Sequence, residues 1–200
     1  MNRREKIIEQ AINQLDKGGM ASFSARKVAD LMGIPPSGVF YHFPTHQELF
    51  NGVQVSIMEK ADSIVQSYVK QINPEQEGLG LEAYFRGTLH WAFTYPAHVK
   101  ILAMGFLYGE GGPSLAEQSE FTTSRGLKKI YTFLAIGVAE KKFSADIELQ
   151  MESRIIHAFL TGASQQILYS PFTSSLEFEE FVEKSWAATY GRIKNSSFKS

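Results

Sequence analysis

A chain of 200 residues is long enough to bury a sizeable core and points to one domain with a smaller one appended. Twenty Lys and Arg against 21 Asp and Glu leave a net charge of −1, which excludes a histone-like polycation or an acidic solvating tail, so any nucleic-acid surface must be local. The absence of cysteine excludes disulfide stapling, thiolate metal sites and cysteine nucleophiles, and fits a reducing compartment.

The first twenty residues, MNRREKIIEQAINQLDKGGM, lack the unbroken apolar stretch of a signal peptide. The longest apolar run, near 101–108, reaches less than half of the ~20 residues a membrane span needs. A cytoplasmic protein with no membrane partner is expected. In the opening segment Ile7, Ile8, Ala11, Ile12 and Leu15 recur at three and four, which predicts one helix with a single buried stripe, ending at Gly18-Gly19. Ser24 is a good N-cap for a second, short helix carrying Val28, Ala29, Leu31 and Met32 and stopped by Gly33. Pro35-Pro36 holds the chain extended and then presets a third short helix with Val39, Phe40 and Phe43, which Pro44 ends. Thr45 caps a fourth helix whose apolar positions, from Leu49 through Val53, Ile57 and Ile64 to Ile72, keep helical spacing long enough to join two lobes.

Beyond Asn73-Pro74, breakers at Gly78, Tyr95-Pro96, Gly109, Phe143-Ser144 and Ser170-Pro171 separate helix-length segments. These are predicted near 81–94, 97–108, 114–142, 145–169 and 176–194. No strand alternation or internal repeat is present. The expected fold is all-α, with a three-helix head over residues 1–46 and a helical remainder over 47–200.

Two short helices around a tight turn make a helix-turn-helix, which needs a small residue at the helix crossing, a flexible one in the turn and an apolar anchor on the second helix. Ala29, Gly33 and Val39 meet these needs. Residues 1–46 hold six Lys/Arg against four Asp/Glu, and 47–200 hold fourteen against seventeen, so the head is the positive part. The string SARKVADLMGIPPSGVFYHFPTHQELF resembles the N-terminal DNA-binding motif of the TetR family of bacterial repressors, from Gly33 through Phe40-Tyr41-His42-Phe43 to Pro44 and Glu48-Leu49. The resemblance implies a recognition helix from about Pro36 to His42, a C-terminal domain that binds a small effector, and a homodimer formed by the last two long helices. Two positions depart from the pattern. Phe40 stands where a phosphate-touching Tyr is common, and His46 where a Lys usually opens the fourth helix.

Candidate DNA contacts are Arg26, Lys27, Pro36, Ser37, Gly38, Phe40, Tyr41 and His46. Arg26 could grip a guanine through two bonds, touch a phosphate or remain solvated. Pro35 offers no side-chain cap, which leaves the amides of Ser37 and Gly38 for a phosphate. Tyr41 is a candidate phosphate or base contact, with Tyr41 and Lys27 supplying backbone affinity. His46 reads either as a phosphate contact or as a solvated helix-start residue, whereas Val39 and Phe43 are assigned to the core. Apolar and aromatic residues fill the middle of the chain, and Met58, Phe85, Leu89, Met104, Tyr108, Phe121 and His157 are the candidate lining of an effector cavity. Ile155, Phe159, Gly162, Phe181, Trp186 and Tyr190 are the candidate dimer surface.

No Glu-x-x-His or H-E-x-x-H pair occurs, GASQQ at Gly162 lacks the second glycine of a nucleophile elbow, and GEGGP at Gly109 follows no strand. Neither an enzyme nor a metal or other cofactor is expected. The reading is a DNA-binding regulator, a repressor that grips a near-palindromic operator as a homodimer and is released by a small apolar or aromatic effector. The alternative is a helical small-molecule carrier or sensor with a vestigial DNA-binding head.

Overall fold

A computed structural model describes residues 2–71, 80–107, 115–170 and 172–194, with the side chains of 69–71, 106–107 and 115–124 outside that description. The described residues form nine helices and no strand: α1 (Arg3–Ser22), α2 (Ala25–Leu31), α3 (Pro36–Phe40), α4 (His46–Gln71), α5 (Gly80–Thr94), α6 (Pro96–Leu107), α7 (Leu115–Ala139), α8 (Leu149–Tyr169) and α9 (Ser175–Lys194). None of these is long and apolar enough to cross a membrane.

The helices divide between two compact units, one within residues 1–60 and 95–118, the other within 61–94 and 119–200. The long α4 contributes its first half to one and its second half to the other.

In the first unit, α1 opens with a capping box in which Asn2 accepts from the Glu5 amide and Glu5 reaches back to the Asn2 amide. Its stripe of Ile7, Ile8, Ala11 and Leu15 is buried. Gly19 sits at φ 63°, which breaks the helix where the glycine pair predicted, and one further turn carries the chain to Ser22. The unit also takes in α6. The Lys100 ammonium bonds the Asp16 carbonyl near the end of α1, and Lys60 of α4 lies 4.5 Å from the centre of the Tyr95 ring, which stacks on His98.

The second unit is centred on α5, whose Leu81, Phe85 and Leu89 are fully buried. Phe85 stacks on Phe159 of α8 at 5.5 Å and meets Trp186 of α9 at 5.5 Å. Gly87 allows α5 to approach α4 closely, because a Cβ there would lie 3.1 Å from the Val65 backbone. The break expected at Phe143-Ser144 lies inside a wider non-helical segment than the predicted ends at 142 and 145 allow. Helix α7 ends at Ala139 and α8 begins only at Leu149. Lys141 at φ 61° closes α7, its amide donating to the Val138 carbonyl and that of Lys142 to Gly137. Phe143 then turns inward against Gly137, and the Ser144 amide donates to the Ile193 carbonyl of α9.

Candidate nucleic-acid interface

Helix α2 starts at Ser24, whose hydroxyl accepts from the Lys27 amide at 3.1 Å. Ala25, Val28 and Ala29 face the core, which leaves Arg26 and Lys27 exposed on the opposite side of the first turn. Gly33 at φ 63° then ends the helix, with its amide on the Asp30 carbonyl and that of Ile34 on Ala29. Only a left-handed residue closes both bonds, which is why the flexible position is glycine.

Pro35 is the N-cap of α3 and supplies no side-chain bond. Its carbonyl nevertheless takes the Gly38 amide at 2.8 Å, so of the two amides reserved for a phosphate only that of Ser37 remains for one. Val39 and Phe43 are 0% and 2% exposed and anchor the helix to the core, as assigned. Tyr41 is 84% exposed, Phe40 is 39% exposed, and Pro36 and Ser37 are exposed beside them. Gly38 is half-buried, and a Cβ there would meet Ile34 at an ordinary 3.5 Å. Its small size is therefore not demanded by the head's own packing.

His46, exposed at the start of α4, is bonded through Nε2 to the Phe23 carbonyl at 3.2 Å, and its ring lies 4.6 Å from that of Phe23. Arg4, absent from the sequence-derived set, has its guanidinium 5.0 Å from the centre of the Phe43 ring, beside the recognition segment. The signal was available only in three dimensions, since Arg4 and Phe43 are far apart in the chain.

The candidate effector residues fall in both units. Met58 and Met104 are half-buried in the first. Phe85 and Leu89 are fully buried in the second and His157 is half-buried there. Tyr108 and the Phe121 side chain lie outside the described residues. Burial holds the His157 pKa below its usual value, so the ring is a neutral donor or acceptor. It lies directly over Gly126, where a Cβ would come 2.9 Å from Nε2 and 3.5 Å from the Tyr84 hydroxyl. Tyr84, unmarked by any sequence signal, has its pKa pushed up to about 12 by burial and by Asp62. Among the described residues, Leu127, Tyr131, Gln150 and Arg154 help to line a groove of about 430 Å³ between α7 and α8.

Of the candidate dimer residues, Ile155 and Phe159 are 39% and 37% exposed, and Gly162 is open. Phe181 and Tyr190 are half-buried, and Trp186 is buried within its own unit. The exposed apolar stripe thus belongs to α8, where Met151 extends it. Among the described residues no group of three His, Asp or Glu is placed to hold a metal ion.

Residues 7–53 match the family described as bacterial regulatory proteins, tetR family. The nucleoid occlusion factor SlmA of Vibrio vulnificus is 22% identical over 198 residues, 96% of each chain. The ketosteroid transcriptional regulator KstR2 of Mycobacterium tuberculosis has a similar fold, with a TM-score of 0.68 at 17% identity over 97% of this chain and 96% of that one. A TetR-family member of Streptomyces coelicolor A3 gives a TM-score of 0.70 at 20% identity over 94% and 98%.

Proposed function

We propose that this chain, which belongs through residues 7–53 to the tetR family of bacterial regulatory proteins and is a DNA-binding transcriptional regulator, represses by gripping a near-palindromic operator as a homodimer and lets go when a small molecule binds. One observation supports the DNA-binding surface most: α3 is pinned to the core by Val39 and Phe43 while Ser37, Phe40 and Tyr41 stay exposed, as do Arg26 and Lys27 on α2. A pinned helix with an open face can enter the major groove without losing its orientation. Arg26 has the fork geometry for a guanine, Tyr41 and Lys27 bind phosphates, and the Ser37 amide adds a donor at the helix start.

Residues 1–46 form the part that meets DNA, and 47–200 the part that dimerises and binds the effector. The stripe of Met151, Ile155 and Phe159 is apolar and uncovered, and Gly162 in line with it permits close approach of a second α8. Helix α4 runs through both units, so a ligand that favours another setting of its second half changes the spacing of two heads. A hundredfold loss of operator affinity requires a coupling of about 2.7 kcal/mol. The effector is largely apolar or aromatic, with His157 supplying an orienting hydrogen bond. Binding to a duplex across a salt series tests the DNA-binding surface: Lys27→Ala weakens all sequences alike and lowers the slope of log K against log salt by about 0.9. Arg26→Ala instead removes base preference at one position. An Arg26→Ala protein with unchanged preference and an unchanged slope contradicts the assignment of that face to DNA.

A further inference from the structure

We propose that His46 is a positioning residue for operator binding, which fastens the first turn of α4 to the carbonyl just ahead of α2 so that the DNA-reading helices follow α4 instead of swivelling against it. The inference rests on the DNA-binding reading and assigns to His46 a role other than touching phosphate. Its Nε2 lies 3.2 Å from the Phe23 carbonyl oxygen, and a carbonyl can only accept, so Nε2 carries the hydrogen. Nε2 is thereby committed to the joint and is not free to meet a phosphate.

Phe23 is the point where three helices meet. Its amide donates to the Met20 carbonyl at the end of α1, its carbonyl accepts from His46, and the next residue, Ser24, caps α2. Its ring is 6% exposed and lies 4.6 Å from the His46 ring and 6.1 Å from that of Phe50, one turn further along α4. On the α3 side, Phe43 sits so close to α4 that a Cβ on Gly52 would lie 2.7 Å from its ring. Helix α4 is therefore held to α2 through His46 and to α3 through Gly52, both within its first two turns. A lysine in place of His46 would bring a phosphate ligand on a flexible stem but no planar ring to stack on Phe23. This chain has the joint in its place.

Salt-dependent duplex binding and 15N NMR of the free protein at pH 8 test the proposal together. His46→Ala is expected to lower affinity about tenfold at every salt concentration with the slope unchanged, since no phosphate contact is lost. His46→Gln, whose amide nitrogen reaches the place of Nε2, is expected to restore affinity to within about threefold of the wild type, which a general loss of packing would not allow. The free protein is expected to show His46 as the Nε2–H tautomer. A slope reduced by about 0.9 in His46→Ala, unchanged affinity in that variant, or an Nδ1–H tautomer overturns the proposal. If the wild-type protein bound no duplex, the regulator reading would fall, and the NMR result would still decide whether the joint exists.

Discussion

Gly38 and Gly52 are both small for reasons that a single substitution can separate. At Gly52 a Cβ would meet the buried Phe43 ring at 2.7 Å, so Gly52→Ala is expected to destabilise the head by about 1–3 kcal/mol, read as a lower denaturant midpoint. At Gly38 the same methyl meets Ile34 at 3.5 Å, so Gly38→Ala should keep its stability, and the proposed contact of Gly38 with DNA predicts that it loses operator affinity. Equal affinity for Gly38→Ala and wild type in a duplex titration would remove Gly38 from the interface. His98 adds a pH dependence. Burial first, and the Lys60 charge second, push its pKa down to about 4, below the unfolded value of about 6.5. The unfolded chain therefore takes up the proton first, so stability is complete above pH 6.5 and declines as pH falls toward 4. The loss reaches about 2 kcal/mol by pH 5, and burial gives His90 and His157 shifts of the same sign. Urea midpoints at pH 7 and pH 5 check this, and His98→Gln should flatten the difference.

At the scale of elements, the signals of the first 46 residues were legible because each rests on local backbone chemistry. Gly19 and Gly33 take the left-handed conformation, Ser24 and Thr45 accept from amides three residues on, and the Val39 and Phe43 spacing marks the buried side of α3. What was not legible depends on partners distant in sequence. Nothing local marks Lys141 as a left-handed helix end, since its conformation is held by bonds to Val138 and Gly137 and by Phe143 turning into the core. Periodicity likewise showed apolar stripes on both α8 and α9 without showing which is already covered. Phe178, Val182, Trp186 and Ile193 of α9 are buried within their own unit, and it is α8 that leaves Met151, Ile155 and Phe159 open. Trp186→Glu would therefore break the core that Trp186 shares with Phe85, whereas Ile155→Asp is expected to leave the thermal midpoint within a few degrees of wild type. Light scattering at micromolar concentration should find wild type dimeric and Ile155→Asp monomeric. A monomeric wild type contradicts the homodimer.

For the whole molecule, the match of residues 7–53 to the tetR family and the helical fold of the described residues support the DNA-binding reading, and the proposed dimer sets what it must recognise. Two copies of α3 related by a twofold axis read two half-sites about one helical turn apart, ~34–36 Å, so the operator must carry a dyad. The Phe85→Ala substitution is a poor probe of effector release, because that ring is fully buried against Phe159 and Trp186 and its loss costs about 3–5 kcal/mol of core packing. Gly126→Ala is the better one: it displaces the His157 ring, and release by the effector is expected to fail while operator binding persists. The most direct measurement for the regulator reading is selection of bound duplexes from a random pool by the purified full chain. The expected result is an enriched sequence with twofold symmetry and half-sites one turn apart, whose binding weakens steeply with salt. A pool that enriches no sequence at low salt, or one that converges on a single asymmetric half-site, would contradict it.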